Sequence, residues 1–128
     1  MDENFRKQME ESGADVETTI KRFMGKEELY VKFILKFLDD SNLDLLLENY
    51  GKKDFGAVFN NAHSIKGVTS NLGLNPVYKV SAEICDLLRG KQPEEVDEET
   101  LSVLKDQLAV EYGRFRKIIG DYKQASGK

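Results

Sequence analysis

Tryptophan is absent from this chain of 128 residues, proline occurs twice, and cysteine and histidine occur once each. Each shortage closes off a class of structure. Proline removes a backbone donor and clashes with the preceding turn, so having only two leaves long stretches free to be helical. A strand-like alternation of apolar and polar residues is also missing, and an all-helical domain is expected. The single Cys85 excludes an internal disulfide and suits a reducing compartment. Its ordinary role would be that of a small, partly buried side chain. One cysteine and one histidine, with no second histidine at helical spacing, give no reason to expect zinc.

Broad positive charge is missing too. The formal net charge is −4, so neither nucleic acid nor an anionic membrane is expected as a partner. No run approaches the roughly 20 apolar residues of a spanning helix. The opening Met1-Asp2-Glu3-Asn4 has neither the basic start nor the apolar stretch of a signal peptide. A soluble, cytoplasmic protein is the expectation. None of the ten glycines belongs to a phosphate-cradling loop. No nucleotide site is therefore expected.

What is present suits one domain over residues 1–128. Residues 1–25 read as peripheral N-terminal helices, 26–122 as a four-helix bundle and 123–128 as a frayed polar tail. Phe5 and Met9 are the only apolar anchors before Ser12-Gly13. Asp15 then reads as an N-cap and Gly25 as a helix stop around Val16, Ile20 and Phe23. From Lys26 to Gly51 apolar residues cover most of the circumference, predicting one long helix that bends at the polar Asp39-Asp40-Ser41-Asn42.

Asp54 reads as the next N-cap, followed by Phe55, Phe59, Ala62, Ile65, Thr69 and Leu72 at steps of three and four. Gly73 suits a left-handed helix end, Asn75 the following N-cap and Pro76 the first helical position. The helix behind them carries Val77, Val80, Ile84 and Leu87 inward and stops at Gly90. After an acidic linker at 92–99, Leu101, Leu104, Leu108, Tyr112, Phe115, Ile119 and Tyr122 form a last, heptad-like stripe. Four long amphipathic helices with short connections predict a monomeric up-down-up-down bundle.

The histidine stands in Ala62-His63-Ser64-Ile65-Lys66-Gly67-Val68-Thr69-Ser70-Asn71-Leu72-Gly73. At about 100° per residue it lies about 115° from the centre of the apolar stripe, on the helix flank with Gly67 and Ser70. Lys66 and Gly67, three and four residues on, are its helical neighbours. A cation beside a histidine does not favour imidazolium or a metal, but it can receive an anion built on the ring. Glycine leaves the approach uncrowded and costs about 1 kcal/mol relative to alanine in a helix interior, so its presence asks for a reason. Taken singly, a helical histidine and lysine are by default surface residues. Ser70 and Asn71 are read equally well as orienting groups or as polar surface.

The run Ala62-His63-Ser64-Ile65-Lys66-Gly67, continued by Asn71-Leu72-Gly73, closely resembles the signature of histidine-containing phosphotransfer (HPt) domains. Thr19 to Asp40, with Arg22-Phe23 and Glu27-Glu28-Leu29-Tyr30, looks like the opening helices of free-standing bacterial members. Val68 departs from the common Ser or Ala, and Thr69 stands in a second small-residue position; a packing difference at Val68 is expected. The resemblance implies that His63 takes phosphoryl from the aspartyl phosphate of one receiver domain and passes it to the aspartate of another. It implies further that Lys66 offsets the phosphoryl charge, that Gly67 lets the partner close over the ring, and that the partner supplies Mg2+ and the aspartate, which makes the chain a carrier and substrate with no cofactor of its own rather than an enzyme. The partners would be response-regulator receivers and hybrid or chemotaxis-type histidine kinases.

Two other functions remain open at this level. Phe59-Asn60-Asn61-Ala62-His63 also looks like the phosphoacceptor domain of a chemotaxis-type kinase, although a chain ending soon after its last helix favours a separate shuttle. A helical adaptor that binds receivers without transfer is the other, and retention of His63, Lys66 and Gly67 together argues against it.

Overall fold

A computed structural model describes residues 1–127. Among them are seven α-helices: α1 (Glu3–Glu11), α2 (Val16–Arg22), α3 (Glu27–Lys36), α4 (Asn42–Gly51), α5 (Phe55–Leu72), α6 (Asn75–Leu88) and α7 (Glu98–Ser126). Short 3-10 turns occupy Phe37–Asp39 and Pro93–Glu95. Among the described residues there is no strand, and no helix is long and apolar enough to cross a membrane.

Helices α4 to α7 form the bundle, each antiparallel to the one before it. The end of α4 meets the first half of α5, where Asn49 donates to Asn61 Oδ1 at 2.9 Å. The end of α6 returns to the start of α5, where the Arg89 guanidinium lies 5.8 Å from the centre of the Phe59 ring. Helix α7 closes the ring against α4 through Lys53–Glu98 at 3.5 Å and Arg116–Asp44 at 3.8 Å. Leu46, Val58, Ile65, Ile84, Leu101 and Leu108 fill the centre with no exposed surface. Burying each side chain of this size contributes about 1.5–3 kcal/mol.

Of the expected caps, Asp15 and Asp54 accept from the backbone N–H of Thr18 and Ala57, both at 3.2 Å. Asp97, inside the stretch read as an acidic linker, caps α7 by accepting from the Thr100 N–H at 3.1 Å. Helix α6 starts one residue earlier than the sequence suggests: Leu74 is its N-cap, so Asn75 and Pro76 occupy the first turn without a side-chain cap.

The long helix expected over 26–51 is two helices. Asp40 leaves the helical path, with φ −70° and ψ 127°. Tyr112 on α7 donates its hydroxyl to the Asp40 carboxylate and to the Asp40 carbonyl oxygen, the latter at 3.2 Å. Asn42 donates to the same carboxylate at 2.7 Å. The partners that hold the break open come mostly from a helix 72 positions away.

The N-terminal helices are also more than a peripheral layer. Phe5 and Met9 are buried, and Phe5 stacks on Tyr122 with ring centres 4.0 Å apart and planes within 8°. Helix α7 is long enough to run past the four-helix section and receive α1 there. The tail expected to fray after Lys123 is helical through Ser126, where Gly127 turns left-handed at φ 69°; Lys128 lies outside the described residues.

Helix α2 grips the turn that ends α5. The Asp15 N–H donates to the Gly73 carbonyl at 2.9 Å. Gly73 itself has φ +71°, and a Cβ there would run into Thr19 Oγ1 and the Asp15 carbonyl. Only glycine satisfies both the left-handed turn and this close approach.

Candidate functional site

Helix α5 carries a single charged residue, Lys66, in a chain in which 33% of residues are charged. Its outward face is built from Gly56, Asn60, His63, Gly67, Ser70 and Asn71, all exposed. Its inward face buries Phe55, Val58, Ala62, Ile65, Thr69 and Leu72. The face turned to solvent is therefore small and neutral, apart from one imidazole and a lysine at its edge. Such a face can be approached closely by another protein with little desolvation of charge.

His63 is exposed, and neither ring nitrogen has a hydrogen-bond partner among the described residues. Among the described residues its one ring contact is with Phe59, one turn earlier, at 6.0 Å between centres and 42° between planes. With neutral imidazole nucleophilic near pH 7, a nitrogen free of partners and open to solvent is available to an electrophile.

Lys66 is half-buried and makes no ion pair among the described residues. Its field reaches α6: burial pushes the Cys85 thiol up, and the positive charge of Lys66 offsets part of that rise. An ammonium that no carboxylate neutralises thus stands one turn from the imidazole.

Gly67 is exposed and helical, and no atom outside its own helix backbone and chain neighbours lies within 4 Å of where a Cβ would stand. Neither packing nor backbone conformation requires glycine here, in contrast to Gly73.

Ser70 and Asn71 contribute through their main chain. Arg22 of α2 donates to the Ser70 and Asn71 carbonyl oxygens at 3.1 and 3.4 Å, while neither side chain makes a hydrogen bond among the described residues. Thr69 is fully buried and donates to the Ile65 carbonyl at 2.7 Å, so the hydroxyl is satisfied inside the core. Val68 is half-buried and packs against the core, lining a groove with Phe33, Phe37, Asp40 and Leu72. It faces the α3–α4 junction.

The structure thus brings His63, Lys66 and Gly67 together on one exposed flank, with Ser70 two turns along. Sequence reasoning missed two neighbours. Phe59 reads as one more member of the core stripe, yet it is half-buried and its ring reaches His63. Its spacing of four residues before His63 was the available signal, since helical side chains lean toward the N-terminus. Arg22 carried no signal for its contact with α5. Among the described residues no three His, Cys, Asp or Glu side chains stand close enough together to hold a metal ion.

A family model described as Hpt domain matches residues 28–111. The span opens in α3 and closes in α7, covers about two thirds of the 128 residues, and contains all of α5. No curated protein and no solved structure matches the chain.

Proposed function

The chain belongs to the Hpt domain family, and from that premise we propose that His63 is its phosphoacceptor, loaded by the aspartyl phosphate of one receiver domain and unloaded onto the aspartate of another. Histidine phosphotransfer within a phosphorelay is the role of the family. The observation that carries the finer reading is an exposed imidazole without hydrogen-bond partners, beside a helical glycine whose missing side chain leaves open space.

In the loading step a ring nitrogen of neutral His63 attacks phosphorus. The P–N bond forms as the P–O bond to the receiver aspartate breaks, aspartate leaves as carboxylate, and the ring sheds its surplus proton to water. Unloading reverses these changes on the second receiver. Lys66 stabilises the phosphoryl oxygens as charge gathers on them, and Gly67 lets the receiver's acidic pocket close over the ring. Mg2+ would be held by the receiver, not by this chain, and would draw charge from the same oxygens. The domain works as a monomer, holds no cofactor of its own, and is a carrier and substrate rather than a catalyst.

Incubation with a phosphorylated receiver tests the reading. Label is expected on His63 alone, acid-labile and base-stable, and absent from His63→Gln. That variant should melt within about 0.5 kcal/mol of the wild type, as surface substitutions do. Label on Ser, Thr or Asp, or undiminished labelling of the variant, would overturn it. A parallel arm with an ATP-charged kinase core separates the shuttle from the kinase-type phosphoacceptor, which would be labelled by the core and poorly by receivers.

A further inference from the structure

We propose that Phe59 is a positioning residue for phosphoryl transfer, its ring holding the His63 imidazole in one orientation while Arg89 of α6 holds the Phe59 ring. The inference rests on His63 being the phosphoacceptor.

An exposed histidine ordinarily samples several χ1 wells and a broad χ2. Reactive or metal-binding histidines are usually fixed by a carboxylate or carbonyl on the second ring nitrogen. His63 has no such partner among the described residues, so polar contacts do not orient it. Its only ring neighbour among them is Phe59, at 6.0 Å between centres and 42° between planes, within the range of favourable offset aromatic contacts. The contact follows from helix geometry, because the His63 side chain leans back over the turn that begins at residue 59.

Phe59 is itself held. Its inner edge packs on the core, and the Arg89 guanidinium sits 5.8 Å from its centre. Arg89 is anchored in turn by Asp86 at 2.8 Å. Asp86, Arg89, Phe59 and His63 thus form one line of contacts from α6 to the phosphoacceptor. Were Phe59 core alone, it would be as buried as Phe55 or Ile65; instead it is half-exposed at the rim where the imidazole stands.

The ring orients and carries no charge, so its loss should affect a small donor and a protein donor alike. Phe59→Leu keeps apolar volume at the core edge and removes the aromatic face; Phe59→Tyr restores the face. Four quantities are read on each protein: the thermal melt, the His63 ring proton shifts, the labelling rate with phosphoramidate, and transfer from a phosphorylated receiver at saturating and subsaturating donor. In Phe59→Leu the His63 ring protons should lose their ring-current shift. Labelling by both donors should fall roughly 2- to 12-fold, the worth of one aromatic contact, with the receiver's loss in kcat rather than KM. Phe59→Tyr should recover shift and rate together. Arg89→Gln, a surface change, should move both in the same direction by less.

A changed ring shift with unchanged rates would overturn the proposal, as would equal loss in Phe59→Leu and Phe59→Tyr, since that loss would follow the fold and not the ring. Should the wild type accept no phosphoryl from any donor, the phosphoacceptor reading fails, and the ring-shift comparison still reports whether Phe59 orients His63.

Discussion

Arg22 and Ser70, 48 positions apart in sequence, are joined by a 3.1 Å hydrogen bond from the guanidinium of α2 to the backbone carbonyl near the end of α5. The same nitrogen reaches Asn71 O and Thr19 Oγ1, at 3.4 and 3.2 Å. The last carbonyls of a helix lack intrahelical partners and carry partial negative charge, so a cation there satisfies both needs. Arg22→Ala should lower stability by about 1–2 kcal/mol, read as a lower denaturant midpoint with unchanged slope. Arg22→Lys, with one point charge in place of a planar fork, should recover only part of it. A variant as stable as the wild type would show that the Arg22 contacts contribute nothing to holding α2.

Lys66 has no carboxylate partner among the described residues, so truncating it should reveal its contribution to the phosphoryl group directly. A charge-assisted contact in a partly exposed site is worth about 1–3 kcal/mol, and Lys66→Ala should slow transfer roughly 5- to 150-fold with the bundle intact. Rapid-quench transfer across donor concentrations measures this. Equal rates throughout would make Lys66 a solvated charge and nothing more.

At Gly67 the expectations for fold and function have opposite signs. Space for a Cβ is open, so Gly67→Ala should stabilise the protein by up to about 1 kcal/mol, and Gly67→Gln should fold. Gly67→Gln should nonetheless impair transfer from a phosphorylated receiver while phosphoramidate still reaches the ring. Equal loss with both donors would mean a disturbed imidazole; no loss with either would leave the glycine without its proposed role.

Tyr30 and Tyr112 are both fully buried, and both phenols are pushed well above their ordinary value, chiefly by burial, with the Asp40 carboxylate adding to the rise for Tyr112. A group with a raised folded-state pKa contributes stability that is complete below its unfolded pKa, about 10 for tyrosine, and is lost as pH rises toward the folded value. Stability should therefore fall above about pH 10, by up to about 1.4 kcal/mol per pH unit for each tyrosine. Tyr112→Phe should be less stable at neutral pH and show a shallower alkaline decline. Denaturant melts from pH 7 to 11 check it, and parallel decline of wild type and variant would exclude Tyr112 as a source.

The juxtaposition of His63, Lys66 and Gly67 was legible in sequence because residues three and four apart must be neighbours on a helix, whatever surrounds it. The caps at Asp15 and Asp54 and the buried stripe of α7 are local for the same reason. The neutral character of the α5 outward face follows as well, once its phase is known from the apolar residues.

Tertiary structure alone decided where these local pieces break and what they touch. The apolar content from Lys26 to Gly51 reads as one helix, and Tyr112, arriving from α7, joins Asn42 in holding Asp40 out of it. Two apolar anchors made α1 look weak, yet Tyr122 gives Phe5 a stacking partner. Phe59 belongs to the core by spacing, and its place beside His63 with Arg89 at its back depends on the packing of α6. Helix periodicity is fixed within a few residues, but a contact 48 or 72 positions away depends on how helices pack, and that is set by the core as a whole.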